Sequence, residues 1–228
     1  MYAGCVYIDQ VEEIANELGR KLFNAEFADV RAISGVIANL IAYTAFTELG
    51  DHIMSISIPS GGHISYAKKR LGGTAGKVRG LKVHYFVFDE KEMNIDVDGT
   101  MRRVKKLEEQ GKRIKLFIMG ASVFLFPEPV REIREIADEI GAYIHFDGAH
   151  VAGLIAGGKF QDPLREGADV FTISTHKTLP GPQGGAVFSH SKYAEILKVA
   201  AFPSTMSNHH LHLVAGNSSS FSCCYQRR

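Results

Sequence analysis

The chain has 228 residues, 45% of them hydrophobic and 22% charged, with a net charge of +1. That length and balance suit one large domain with a sizeable core, and the near-neutral charge offers no long-range field for nucleic acid or an anionic membrane. No apolar run reaches the roughly 20 residues that span a bilayer; the first residues lack a basic-then-apolar leader, and Cys5, Cys223 and Cys224 suggest no disulfide framework, so the chain reads as cytoplasmic.

In chain order, Asp9 precedes apolar positions at helical spacing (Val11, Ile14, Ala15, Leu18, Leu22), and a short strand-like piece follows at 28–32. Ser34-Gly35 opens a second helix with Ile37, Leu40, Ile41 and Ala45 as its apolar face. Strand-like runs recur at 53–58, 83–88, 114–119, 142–146, 170–173 and 185–188, with helical patterns at 97–109, 129–140 and 192–200. Short apolar strands alternating with amphipathic helices predict an α/β domain with a mostly parallel sheet flanked by helices. Gly72–Gly76 reads as a loop. Residues 217–228, serine-rich and without helical or strand period, read as a disordered or foreign tail behind a domain of residues 1–216.

The chemistry concentrates at strand ends. Asp147-Gly-Ala-His150 follows one apolar run, and Ser174-Thr-His-Lys177 follows another, ahead of the glycine-rich Pro180–Gly185. Ligands of open α/β sheets sit beyond the carboxyl ends of the strands. An acid, a histidine and a lysine gathered there suit a pyridoxal phosphate site: the lysine forms a Schiff base, and the acid keeps the pyridine nitrogen protonated so that the ring accepts electrons. A lone lysine after a strand is usually a surface charge, and Asp-Gly is usually a turn; the coincidence of both favours the functional reading.

Other positions carry weaker signals. Ser34-Gly35 is either a plain helix cap or a seat for a cofactor phosphate on a helix N-terminus. His63, after Gly61-Gly62, is either a polar loop residue or a ring covering one face of the cofactor. Ser122, in Gly120-Ala-Ser122, either starts a turn or donates to a cofactor oxygen. His209 and His212 have helical metal-ligand spacing, but no neighbouring carboxylate or cysteine in sequence completes a set, so a polar helix start is the reading and no metal is expected. The basic stretches at 68–70 and 102–106 read as solvated faces.

Several stretches together and in order resemble serine hydroxymethyltransferase, particularly its archaeal branch: Ser34–Asn39, Gly61–Ser65, Gly120–Ser122, Asp147–His150, Ser174–Thr178 with Gly181–Gly185, and Ser207–His212. The resemblance runs from about Tyr2 to Gly216. It implies a fold-type-I pyridoxal phosphate large domain, a homodimer with active sites at the subunit interface, and transfer of the hydroxymethyl carbon of L-serine to a reduced pterin of tetrahydrofolate or methanopterin type, leaving glycine. Lys177 resembles the Schiff-base lysine, Asp147 the pyridine-nitrogen partner and His63 the stacking ring. Ser34 and Gly35 resemble phosphate binders. Ser122 and His150 resemble groups around the ring hydroxyl and the aspartate, His176 the lysine's neighbour, and Tyr2 a tyrosine near the substrate.

Members of that family carry an upstream arm with an acid/base glutamate and a smaller C-terminal domain with a carboxylate-clamping arginine. Neither has a counterpart between Met1 and Arg228, and Ser174 stands where many relatives have threonine. Cut at both ends, the chain alone is expected to have little hydroxymethyltransferase activity. The alternatives are a related aldolase or aminotransferase of the same fold, or a fragment that only binds cofactor or pairs with a second subunit. Neither nucleic acid nor a membrane is expected as a partner.

Overall fold

The computed structural model describes residues 5–226, so Tyr2 lies outside the described residues. The chain begins with α1 (Val6–Phe23), β1 (Phe27–Asp29), α2 (Gly35–Phe46) and β2 (His52–Ser55). It continues through β3 (Lys82–Tyr85), the short pair β4 (Phe88–Asp89) and β5 (Asn94–Ile95), α3 (Val97–Glu109), β6 (Ile114–Met119), α4 (Val130–Ile140) and β7 (Tyr143–Asp147). Then come α5 (Ala152–Ala156), α6 (Pro163–Glu166), β8 (Val170–Ser174), β9 (Gly185–Ser189), α7 (Ala194–Val199) and α8 (Leu211–Gln226).

Seven strands make one sheet in the order β1-β9-β8-β7-β6-β2-β3. β3, β2, β6, β7 and β8 are mutually parallel, and β9 runs antiparallel to both β8 and β1. The mostly parallel α/β sheet expected from the sequence is therefore present. Successive side chains of a strand point to opposite faces, and both faces are covered here. Leu116, Ile118, Val170 and Val187 join Ile41 and Phe46 of α2 on one side; Phe117, Met119, Phe171 and Phe188 join Leu22 and Phe23 of α1 on the other. Burial on both faces is why these strands read as continuous apolar runs rather than alternating ones.

Local corrections have physical causes. α1 starts at Val6, ahead of Asp9, and Asp9 lies in its first turn, where a carboxylate favours the positive end of the helix. The run at 53–58 pairs only through Ser55, because Pro59 follows and the chain turns toward Gly61. The run at 83–88 splits into β3 and β4.

The larger departure is at the C-terminal end. Through Gln226 the expected disordered tail is the helix α8, packed against α1. Val214, Asn217 and Phe221 lie on one face at spacings of three and four, and all are buried. Phe221 is 0% exposed and its ring meets Phe23 edge-on at 6.2 Å; Phe23 in turn touches Phe171 and Phe188. The serines that hid this pattern return their hydroxyls to the helix: Ser218 donates to the Val214 carbonyl, and Ser220 to those of Gly216 and Pro180. A Phe221→Ala variant should lose about 3 kcal/mol of stability through the cavity it leaves, whereas Tyr225→Ala, on the half-exposed end of α8, should change it little. Urea denaturation of both variants measures the difference.

Candidate active site

The parallel strands bring their carboxyl ends to one edge of the sheet. There Asp147 ends β7, Ser174 ends β8 with Lys177 three residues on, Gly120 follows β6, and the Gly61–His63 loop follows β2. The N-terminus of α2 points to the same place. Ser34 caps it, its Oγ accepting from the Ile37 N–H at 3.3 Å. A Cβ on Gly35 would fall 2.2 Å from Ser174 Oγ, so any larger residue there would force the Ser174 hydroxyl to turn away. Between these elements lies a cavity of about 180 Å³, whose lining includes Ser34, Gly35, His63, Asp147, His150, His176 and Lys177. Seven of the residues singled out from the sequence thus share one cavity.

Asp147 lies at its floor, 6% exposed. Oδ2 accepts from Asn39 Nδ2 at 2.7 Å, and Oδ1 from the Ala149 N–H at 3.0 Å. Among the described residues these donors are neutral, and no ion pair reaches the carboxylate. Behind it a polar chain crosses the sheet. The Thr172 hydroxyl donates to Asn39 Oδ1 at 2.6 Å and lies 2.7 Å from His145 Nε2. Since Thr172 spends its hydrogen on Asn39, it accepts from His145, which places the imidazole proton on Nε2. His145 is fully buried, and burial lowers its pKa to about 4, against the pull of Asp147. Asn39 Nδ2 also reaches Ser65 Oγ at 3.2 Å, and Ser65 Oγ lies 2.9 Å from His63 Nδ1. One amide side chain thus joins the acid to the histidine loop.

At the mouth, Lys177 Nζ and His150 Nε2 lie 3.1 Å apart. Lys177 is exposed overall, but the cavity wall around its amine lowers its pKa by desolvation, opposed by the Asp147 charge. Burial also holds His63 and His150 below the ordinary histidine value; Lys177 adds to the fall of both, and Asp147 opposes it. The two rings sit with centroids 6.5 Å apart. His176 Nδ1 accepts from the Gly184 N–H at 3.5 Å, tying the lysine's neighbour to the glycine-rich loop.

Ser122 is not among the residues lining this cavity. Its N–H donates to the Gly61 carbonyl at 2.7 Å, which fastens the Gly120–Ser122 segment to the His63 loop. His209 lies 2.8 Å from a carboxylate oxygen of Glu12, on α1, a neighbour that sequence distance concealed. Among the described residues no group of three or more His, Cys, Asp or Glu side chains is placed to hold a metal ion, and no helix is long and apolar enough to cross a membrane.

In the sequence alone Asn39, Ser65, Thr172, His145 and Glu128 show no role. Asn39 carried one usable signal, a lone amide on the mainly apolar helix α2. His145 and Thr172 alternate with apolar residues inside buried strands, and only pairing β7 with β8 brings them together.

The family model for serine hydroxymethyltransferase matches residues 1–227. A serine hydroxymethyltransferase of Cenarchaeum symbiosum is 54% identical over 221 residues, covering 97% of this chain and 50% of that protein. Its namesake in Archaeoglobus fulgidus is 54% identical over 215 residues (94% and 47%), and that of Methanothermobacter marburgensis 53% over 216 (95% and 49%). The chain spans about half the length of these curated relatives.

The polar chain behind Asp147 has a pH signature. A histidine whose folded pKa falls from 6.5 to about 4 supports the fold fully above pH 6.5 and loses that contribution as the pH drops toward 4. Proton-detected NMR titration should show His145 neutral through pH 6. Chemical denaturation at pH 7 and pH 5 should show His145→Gln, which cannot be protonated, losing less stability between the two than the wild type.

Proposed function

The chain belongs to the serine hydroxymethyltransferase family, and from that premise we propose that its strand-end cavity holds pyridoxal phosphate and serves the transfer of the hydroxymethyl group of L-serine to a reduced pterin. The observation that carries the reading is the polarity of the cavity. A buried carboxylate with only neutral donors, Asp147, marks one place in it; the capped N-terminus of α2 marks another; the Lys177 amine stands at its mouth.

Those residues fit the group. A carboxylate held by neutral N–H donors favours a cationic partner, which a protonated ring nitrogen supplies. The first backbone N–H groups of α2, at Gly35 and Val36, and the positive end of its dipole suit a phosphate. Lys177 is the one lysine of the cavity lining and the amine for the aldehyde carbon. When bound, the cofactor supplies an electron sink for the charge left on the substrate's α carbon.

The protein's own groups handle protons and position. With its pKa lowered, more of the Lys177 amine is neutral and nucleophilic at neutral pH. His150 Nε2, 3.1 Å away and itself held neutral, can take a proton from Nζ and return it. His63 is braced through Nδ1 by Ser65, so its ring keeps one orientation over the cavity. His176 and the Gly184 N–H hold the loop after Lys177 close. Ser122 serves through its backbone, as a clasp on the His63 loop. By the family resemblance, Tyr2 would serve the substrate. The same reading takes the cofactor-binding large domain to run on through α8 rather than to end at residue 216, with a homodimer as the working unit, the cytoplasm as its place and a pterin of either tetrahydrofolate or methanopterin type.

Borohydride reduction after loading with pyridoxal phosphate should fix the cofactor on the peptide that carries Lys177, and Lys177→Ala should abolish the label. A label on another lysine, or cofactor demonstrably bound with no label, rejects the assignment. Asp147→Asn should weaken cofactor binding by roughly tenfold or more, the worth of a buried charged hydrogen bond. Absorbance titration measures it, and unchanged affinity would make Asp147 a turn residue only.

A further inference from the structure

A second buried carboxyl group stands behind the site. Glu128, two residues before α4, is 8% exposed, and its Oε2 accepts from the Gly120 N–H at 2.6 Å. Gln161 anchors it: the Glu128 N–H donates to Gln161 Oε1 at 2.9 Å, while Gln161 Nε2 donates to the Glu128 carbonyl at 3.1 Å and to Glu166 Oε2 at 2.7 Å.

Gly120 is pressed against the Asp147 turn. Its φ is +104°, and a Cβ there would fall 2.1 Å from the Asp147 carbonyl oxygen. Its own carbonyl accepts from the Tyr66 hydroxyl at 2.7 Å, and two residues later the Ser122 N–H donates to the Gly61 carbonyl at 2.7 Å. Gly120–Ser122 is thus a strap between the turn that carries Asp147 and the loop that carries His63. The Gly120 N–H is its attachment on the α4 side, and a buried N–H without an acceptor is costly.

We propose that Glu128 is a positioning residue of this site: by accepting the Gly120 N–H it fixes the strap that sets the Asp147 turn and the His63 loop against each other. The proposal deepens the cofactor reading of the cavity, and its bearing on binding rests on that reading. Burial pushes the Glu128 carboxyl up to about 8; the Gly120 N–H opposes the rise and the Asp147 charge adds to it. The titratable groups facing it are Asp147 and Tyr66, whose hydroxyl burial keeps protonated, together with Glu166 beyond Gln161.

Two opposite pH trends follow. An ionised acceptor binds an amide N–H more strongly than a neutral one, so the strap tightens as pH rises through about 8. The buried charge meanwhile weakens the fold: the stability tied to neutral Glu128 is fully present below the unfolded value of 4.5 and is lost as pH rises through about 8.

The test compares the wild-type chain with Glu128→Gln, which keeps an acceptor but cannot titrate, and Glu128→Leu, which has none. Gly120 amide hydrogen exchange, corrected for its intrinsic pH dependence, is followed without cofactor from pH 6 to 9. Measured relative to core amides of β6, which report the global change in stability, Gly120 protection should rise severalfold with pH in the wild type, stay flat in Glu128→Gln, and fall by roughly tenfold or more in Glu128→Leu. The denaturation midpoint of Glu128→Gln relative to wild type should climb from pH 5 to 9. Equal, parallel exchange in wild type and Glu128→Gln, or a midpoint difference that ignores pH, overturns the proposal, and this pair decides even if Glu128→Leu does not fold. In a separate arm, Glu128→Leu should bind pyridoxal phosphate roughly tenfold more weakly. A wild-type chain that binds no cofactor while the exchange pattern holds would reject the cofactor reading and leave the role of Glu128 in the strap standing.

Discussion

Asp147 carries a carboxylate into a nearly dry strand end, and everything around it answers that charge. Removing a carboxylate from water is tolerable only when donors replace its hydration. Here Asn39 and the Ala149 backbone do so without neutralising it. Asn39 can serve only because its other end is held by Thr172, which in turn is placed by His145. The charge is therefore solvated by oriented dipoles and remains free to attract a cation into the cavity. Such preorganised groups need no rearrangement when a ligand arrives.

That arrangement needs a rigid frame, and the sheet supplies it. With both faces of β6, β7, β8 and β9 buried, a one-residue slip would turn a whole set of apolar side chains to the wrong layer. The register that brings Asp147 opposite Thr172 is thus set by packing far from the cavity. The aromatic group Phe23, Phe171, Phe188 and Phe221 fills the layer beneath β8 and β9, so α8 takes part in holding the strand from which Lys177 emerges.

Electrostatics around the acid run in one direction. His63, His145 and His150 are all held toward their neutral forms, chiefly by burial, even though Asp147 favours their protonation. Desolvation outweighs the carboxylate at each of them, which leaves proton acceptors rather than competing cations beside it. Glu128 is the carboxyl counterpart: the same dry surroundings and the same negative neighbour push it toward its neutral acid. Asp147 in the cavity floor is thus flanked by imidazoles held toward their neutral forms, with Glu128 held toward its neutral acid behind the site.

Much of this was legible in the chain alone. The apolar runs at 114–119 and 170–173, the amphipathic pattern at 97–109 and the Ser34 cap read directly, because they follow from the periodicity of side chains and from local hydrogen bonding. The strand-end positions of Asp147 and Lys177 pointed to one edge, because parallel strands put their carboxyl ends together. What stayed hidden depends on partners distant in sequence. Asn39 meets Asp147 only after α2 packs on the sheet, Glu128 meets Gly120 only after the chain turns back ahead of α4, and Ser122 turns its N–H to Gly61 instead of entering the cavity. The residues of α8 carry too few apolar positions to announce a helix, and packing decided for them: burying Val214 and Phe221 against α1 and the aromatic layer outweighs the weak helix preference of serine. The sequence by itself determined which residues could be strands, caps and chemical groups, since those depend on neighbours within a few positions; the tertiary structure decided which groups meet and which stay neutral, since burial and long-range pairing exist only once the sheet has closed its two layers.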